Sequence, residues 1–191
     1  MRRLFFALGV LALAASPSFS QTSTWTIDPA HSGAEFAVRH MSVSTVRGKI
    51  TGLKGAIIVD DKEISKSSVS VTIDIGTVDT GVSMRDNDLK SPNFFDVAQF
   101  PGASFTSTSV SGDKQHLTVN GNLTLHGVTR PVVLEVDGPT GPAPGMDHKP
   151  HAGYTATTTL NRKDFGIGAK YPDSVVSEQV KLTIDLEVAK Q

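Results

Sequence analysis

The sequence predicts an all-β domain, a sandwich or a barrel, on three observations. Apolar and polar residues alternate with period two: Val69, Val71, Ile73 and Ile75 are interleaved with Ser68, Ser70, Thr72 and Asp74. Val180, Leu182, Ile184, Leu186 and Val188 are interleaved in the same way with Lys181, Thr183, Asp185 and Glu187. Such runs are strands with one apolar and one polar face, and a one-residue slip would turn the whole apolar set into water. Second, roughly nine strand-like segments follow one another with turn residues between most of them, the spacing of a sandwich or barrel. Third, the chain has no cysteine, so no disulfide framework supports it and the fold must rest on a packed core.

The segments run in order as follows. Trp25 and Ile27 form a short first strand ended by Asp28-Pro29, and Phe36 and Val38 mark a second over Ser32 to His40. A third runs from Arg47 to Asp60, where Gly52 and Gly55 predict a bend or bulge. After the strand at Ser68 come Ala103 to Val110, Leu117 to Leu125, Pro131 to Asp137, Tyr154 to Asn161 and Glu178 to Ala189. Asn120-Gly121 is a hairpin signal by composition. The strand pattern resumes at Leu123, however, so a bulge within one strand explains it equally well. Two stretches break the pattern. Val82 to Lys90 reads as a short helix capped by Asp79 or Thr80. Gly138 to Pro150 holds four prolines and three glycines in thirteen residues and reads as a loop. Of the phenylalanines, Phe94, Phe95, Phe100 and Phe105 lie close together; core packing that seals one end of a barrel is preferred over a ligand site for them.

Residues 1–20 read as a secretory leader: Arg2 and Arg3, an apolar run from Leu4 to Ala15, then Ser16 to Ser20 with a proline and small residues. The run is too short to span a bilayer. Without cysteine there is no lipid-anchored N-terminus, so no permanent membrane anchor is expected, and 21–191 is taken as one domain. Losing Arg2 and Arg3 removes two positive charges from a formal net charge of −1. The remaining Lys and Arg are scattered, which excludes the basic footprint of a nucleic-acid binder.

Local motifs for catalysis are absent: there is no nucleophile elbow, no P-loop and no dinucleotide fingerprint. His148 and His151 form an H-x-x-H pair inside the Pro/Gly-rich stretch, without evident further ligands or rigid support, so no metal and no cofactor is expected. His126 reads as a polar turn residue. Arg85 and Asp86 read as a loop clamp in preference to a contact with an anionic ligand.

These residues resemble the YceI-like proteins. The likeness lies in Thr24-Trp25-Thr26-Ile27-Asp28-Pro29-Ala30-His31-Ser32 with Phe36, Val38 and His40, and in Arg85-Asp86 through Asn93-Phe94-Phe95-Asp96 and Phe100-Pro101. It continues in Gly121 to Val132, including Leu125-His126-Gly127-Val128-Thr129, and in Asn161-Arg162-Lys163-Asp164-Phe165-Gly166. Two positions depart from the family pattern: Asp88 stands where the family usually has His, and Asn93 where it usually has Asp.

The resemblance implies an eight-stranded antiparallel lipocalin-like barrel, with the short helical segment near residues 82–90. It further implies binding of a polyisoprenoid in a periplasmic or secreted protein, and no catalytic residues. Eight strands require one short segment to merge, and Trp25 to Ile27 is the candidate to join the strand after it. The inward-facing residues expected to line the ligand are Phe36, Val38, Val71, Ile73, Leu123, Leu125, Leu182 and Ile184. Periodicity alone does not separate a hollow barrel from a filled one. A homodimer is left open. Two other functions are weighed: an enzyme acting on an isoprenoid lipid, with acid and base drawn from His31, His40, Arg85 or Asp86, and a protein-interaction module using the 138–150 loop.

Overall fold

A computed structural model describes residues 22–191; the leader read over 1–20 lies outside the described residues. Ten strands form one antiparallel sheet: β1 (Thr22–Ile27), β2 (Gly33–His40), β3 (Ser44–Ile50), β4 (Gly52–Asp60), β5 (Ser68–Asp74), β6 (Gly102–Gly112), β7 (His116–Leu125), β8 (Val128–Pro144), β9 (Pro150–Asn161) and β10 (Val176–Lys190). The order is β1-β4-β5-β6-β7-β8-β9-β10-β2-β3, and β1 also pairs with β10. The sheet therefore closes on itself, which removes its main edges.

The ten strands make eight barrel staves. β1 pairs with β10 and β4, and β2 pairs with β10 and β3. β1 and β2 are thus two halves of one stave broken at Asp28-Pro29, and β3 and β4 are two halves of the next, broken at Thr51. The expected merger of Trp25–Ile27 with the following strand is what the pairing shows. At the second break, Thr77 Oγ1 accepts the amides of Thr51 and Gly52 at 3.2 Å each. Gly55 has φ +149°, and a Cβ there would lie 2.1 Å from the Ser70 carbonyl oxygen, so β4 presses on β5 at a point only glycine allows.

Register puts the apolar faces inside. Val71 lies opposite Phe105, Phe105 opposite Leu123, Leu182 opposite both Phe36 and Thr158, and Ile184 opposite both Ala34 and Ala156. Directly opposed residues share a face. One buried cluster gathers Phe105, Val110, Val119, Leu123, Val132, Phe165 and Ile167, and another gathers Ile27, Leu53, Ile57, Val71, Ala152 and Val188. Gly121 is buried beneath the Phe105 ring, where a Cβ would come within 2.3 Å of it.

Three local expectations need correction. Most of 138–150 is strand rather than loop: β8 continues to Pro144, and β9 starts at Pro150. The prolines are tolerated because the β8–β9 register shifts twice, between Asp137 and Thr140 and between Thr140 and Ala143, and bulges free the ladder positions that proline cannot donate to. Asn120-Gly121 makes no turn, and the irregularity lies on the opposite strand, between Ser107 and Ser109 of β6. The helix α1 (Ser83–Lys90) forms as expected, but Val82 occupies its N-cap position and no side chain caps it.

The connections divide between the two barrel ends. One end carries the turns β4–β5, β6–β7 and β8–β9. The other carries the β5–β6 connection with α1, the β7–β8 turn and the β9–β10 connection. At this second end Phe165 and Ile167 are buried, and Phe94 and Phe95 pack against the same cluster. Phe94 stacks on Tyr171 with centroids 5.1 Å apart, and Phe100 meets His126 edge-on at 4.7 Å. Three of the four clustered phenylalanines thus belong to the packing of the core and this end, while Phe100 rests on the β7–β8 turn.

Candidate ligand-binding site

The barrel holds a cavity of about 180 Å³ towards the end with the β4–β5 and β6–β7 turns. Its wall is built from inward residues of successive staves: Ile57 and Val59 on β4, Val69 on β5, Val110 on β6, Leu117 and Val119 on β7, Leu134 and Val136 on β8, Tyr154 and Ala156 on β9, and Leu186 on β10. Ile64, from the short 3₁₀ turn Ile64–Lys66, leans over it. The polar residues are few: Asp60, Asp61, Ser67, Lys114 and the Tyr154 phenol. Asp60 is buried, and its Oδ1 accepts the amides of Lys62 and Glu63 at 3.0 and 2.9 Å, so it shapes the turn at the mouth. Burial raises the pKa of the Tyr154 hydroxyl, with the charge of Asp61 adding to the effect, so the phenol stays neutral and able to donate a hydrogen bond at any physiological pH.

None of the eight expected lining residues touches this cavity. Val71 and Leu123 are buried in the two core clusters, while Ile73, Ile184 and Leu125 pack against them. Phe36, Val38 and Leu182 are half-buried further along the interior, where Gly48 leaves space for the Phe36 ring. The alternation had identified the correct face of β5, β7 and β10, since Val69, Val119 and Leu186 share it with the expected residues. What it lacked was depth along each strand, which depends on how far bulky side chains fill the middle. Phe105, seated over Gly121, does so here.

The four residues weighed for catalysis do not converge. His31 Nδ1 lies 2.8 Å from Asp28 Oδ2, and His40 is exposed at the far end of β2. Arg85 Nε donates to Thr80 Oγ1 at 2.8 Å and Nη2 to the Thr80 carbonyl at 3.1 Å. Asp86 Oδ1 accepts from the Thr80 amide at 2.9 Å and from its hydroxyl at 2.5 Å. None of the four lines the cavity. Arg85 and Asp86 do clamp a loop, though through Thr80 rather than by a direct Arg–carboxylate bond.

The Thr80 hydroxyl, followed by its amide, lowers the Asp86 pKa from 3.8. A depressed carboxylate pKa stabilises the fold above the unfolded value, and that contribution disappears as pH falls through the folded value. Urea midpoints measured from about pH 5 down to about pH 2 should therefore fall more steeply for the native chain than for Asp86→Asn. Parallel curves would show that the clamp contributes nothing.

Asp88 and Asn93, the two positions expected to depart from the family pattern, pair with each other. Asn93 Nδ2 donates to Asp88 Oδ1 at 2.6 Å, and Lys170 Nζ donates to Asn93 Oδ1 at 2.5 Å. The acceptor sits on the helix and the donor on the loop that follows it. His126 lies in the β7–β8 turn with φ +52°, and its Nδ1 donates to the Phe165 carbonyl at 2.9 Å.

Sequence reasoning missed the role of Arg162. It is 5% exposed and donates five hydrogen bonds to the carbonyls of Ile167, Gly168, Tyr171, Val176 and Ser177, at 2.5 to 3.1 Å. An arginine inside an otherwise ordered motif next to a strand end was the available signal.

A YceI-like domain model matches residues 25–188. The chain belongs to the YceI-like family. Protein YceI of Salmonella newport is 37% identical over 167 residues, covering 84% of this chain and 83% of that protein. Among solved structures, Burkholderia cenocepacia BcnA superposes with a TM-score of 0.74 at 20% identity, covering 84% of this chain and 98% of that one. A polyisoprenoid binding domain from Saccharophagus degradans superposes at 0.64 and 16% identity, covering 87% and 98%. The YceI-like barrel is thus the eight-staved ring described above. No helix among its described residues is long and apolar enough to cross a membrane.

Proposed function

We propose that this YceI-like protein is a periplasmic binding or carrier protein for a polyisoprenoid or similar elongated apolar lipid, and that it performs no chemistry on its cargo. The observation that carries this reading is the cavity: apolar walls from seven staves, a few polar groups near one end, and aromatic packing at the other. An apolar cavity of about 150 Å³ is known to stay dry and to take up benzene, so a space of this size suits one end of an isoprenoid chain. Each methylene-sized unit that enters is worth roughly 0.8 kcal/mol. The Tyr154 hydroxyl, Lys114 and Asp61 are the groups placed to meet a polar head. Val71, Ile73, Leu123 and Leu125 pack in the core deeper along the same strands, without bounding the cavity. A chain longer than the cavity requires this packing to part, and Ile184, Leu182, Phe36 and Val38 are the apolar wall it then meets. The domain named for polyisoprenoid binding among the structural neighbours supports this choice of ligand class, and the leader read over 1–20 supports export.

Organic extraction of the purified protein, followed by mass spectrometry, should release a prenyl or comparable lipid, and emptied protein should take up prenyl alcohols in solution. Protein that is reproducibly empty and takes up none of them would overturn the reading.

A further inference from the structure

The outer wall of the barrel carries a cluster that does not line the cavity. Asp28 and His31 stand in the turn between β1 and β2, and Glu187 stands on the outward face of β10. One ligand atom from each of the three lies within 4.8 Å of the others. Asp28 Oδ2 and His31 Nδ1 are 2.8 Å apart. A four-coordinate ion with bonds of about 2.0–2.2 Å needs ligand atoms roughly 3.4 Å apart, so small side-chain rotations suffice to bring the three groups around one ion.

The backbone beneath these side chains is fixed. The Asp28 amide donates to the Glu187 carbonyl at 2.8 Å. Ser32, itself buried, donates its hydroxyl to the same carbonyl at 3.2 Å and accepts the Glu187 amide at 3.0 Å. Asp28 Oδ1 accepts the Ala30 amide at 2.8 Å, which orients the carboxylate, and Pro29 stiffens the turn.

A second layer lies behind the first. His151 Nδ1 is 2.7 Å from Glu187 Oε1, and its Nε2 is 3.0 Å from Asp147 Oδ1 in the β8–β9 turn. This arrangement holds one oxygen of Glu187 and leaves the other for an ion. Supporting bonds of this kind are what orient metal-binding carboxylates. His31 remains open to solvent, with a side chain 66% exposed.

We propose that Asp28, His31 and Glu187 form a binding site for one divalent transition ion of the zinc type, with His151 and Asp147 positioning Glu187. One imidazole with two carboxylates, the remaining positions filled by water, matches borderline ions such as Zn²⁺. Calcium prefers six to eight oxygens, which these residues do not supply. His151 of the H-x-x-H pair thus joins Asp147 of its own turn to Glu187 on a distant strand, while His148 stays in the hairpin.

The test is isothermal titration of zinc chloride into untagged protein near neutral pH, with calcium chloride as the contrast and circular dichroism to verify the fold of each variant. One zinc ion per chain should bind with micromolar affinity, and calcium should not bind in that range. His31→Asn and Glu187→Gln should each weaken zinc at least about tenfold, and His151→Gln by about ten- to a hundredfold through its hold on Glu187. His148→Asn should leave binding unchanged. The proposal fails if the folded native chain takes up no zinc, if His31→Asn binds as the native chain does, or if His148→Asn is the variant that loses the ion.

Discussion

Arg162→Ala should lower the stability of the barrel by about 4 kcal/mol, the range seen when a buried charge network loses one member. Its guanidinium turns both Nη nitrogens and Nε onto five carbonyls, three in the β9–β10 connection and two at the start of β10. Carbonyl groups left without a partner in a buried place each cost about 1–3 kcal/mol unless water reaches them. Burial lowers the arginine pKa from its ordinary value, yet the group stays charged at neutral pH and its bonds are charge-assisted. With a urea slope of about 2 kcal/mol per molar, the midpoint should drop by about 2 M. Arg162→Lys should recover only part of this, since an ammonium has three donors and no planar fork. A midpoint shift below about 0.5 M for the alanine variant would show that the connection holds without the arginine. Because Phe165 and Ile167 belong to the anchored segment and to the core cluster, the same variant should release a bound lipid faster.

Ala156→Leu should cost ligand affinity while leaving the barrel folded. Ala156 is a small residue on a wall otherwise made of larger ones, and its inward position follows from its pairing with Ile184 and Val136. A leucine there projects about three more carbons into the cavity. If each displaces a methylene-sized unit of ligand worth roughly 0.8 kcal/mol, the loss is about 2.4 kcal/mol, or nearly two orders of magnitude in Kd. Titration with a fluorescent prenyl analogue would read this directly, and thermal unfolding would report on the fold. Undiminished binding by a folded Ala156→Leu protein would place the ligand elsewhere.

Much of the barrel was legible because period-two alternation translates directly into an inside and an outside. Val180 to Val188 could be assigned to faces residue by residue, and β10 carries that assignment intact. The merger of Trp25–Ile27 with the next strand was legible only through the family likeness, since it depends on pairing with Lys190 and Ile57, far away in sequence. The extent of β8 was hidden because four prolines argue against a strand unless bulges intervene, and bulges are set by the partner strand. The position of the cavity was hidden for a related reason. Alternation repeats along a strand without marking where a ring such as Phe105 fills the interior. The Asp28–His31–Glu187 grouping was likewise invisible, because Glu187 lies more than 150 residues from His31 and only the closure of the ring brings them together.

That closure has a consequence for how the chain reaches its final form. Ile27 and Val188 meet across the β1–β10 seam, and Val188 is completely shielded from solvent. The seam joins segments more than 150 residues apart, so forming it means closing a very long loop, and such non-local pairings are formed slowly. β1 therefore gains one of its two neighbours only once β10 has been made. The ring locks only when that last pairing forms.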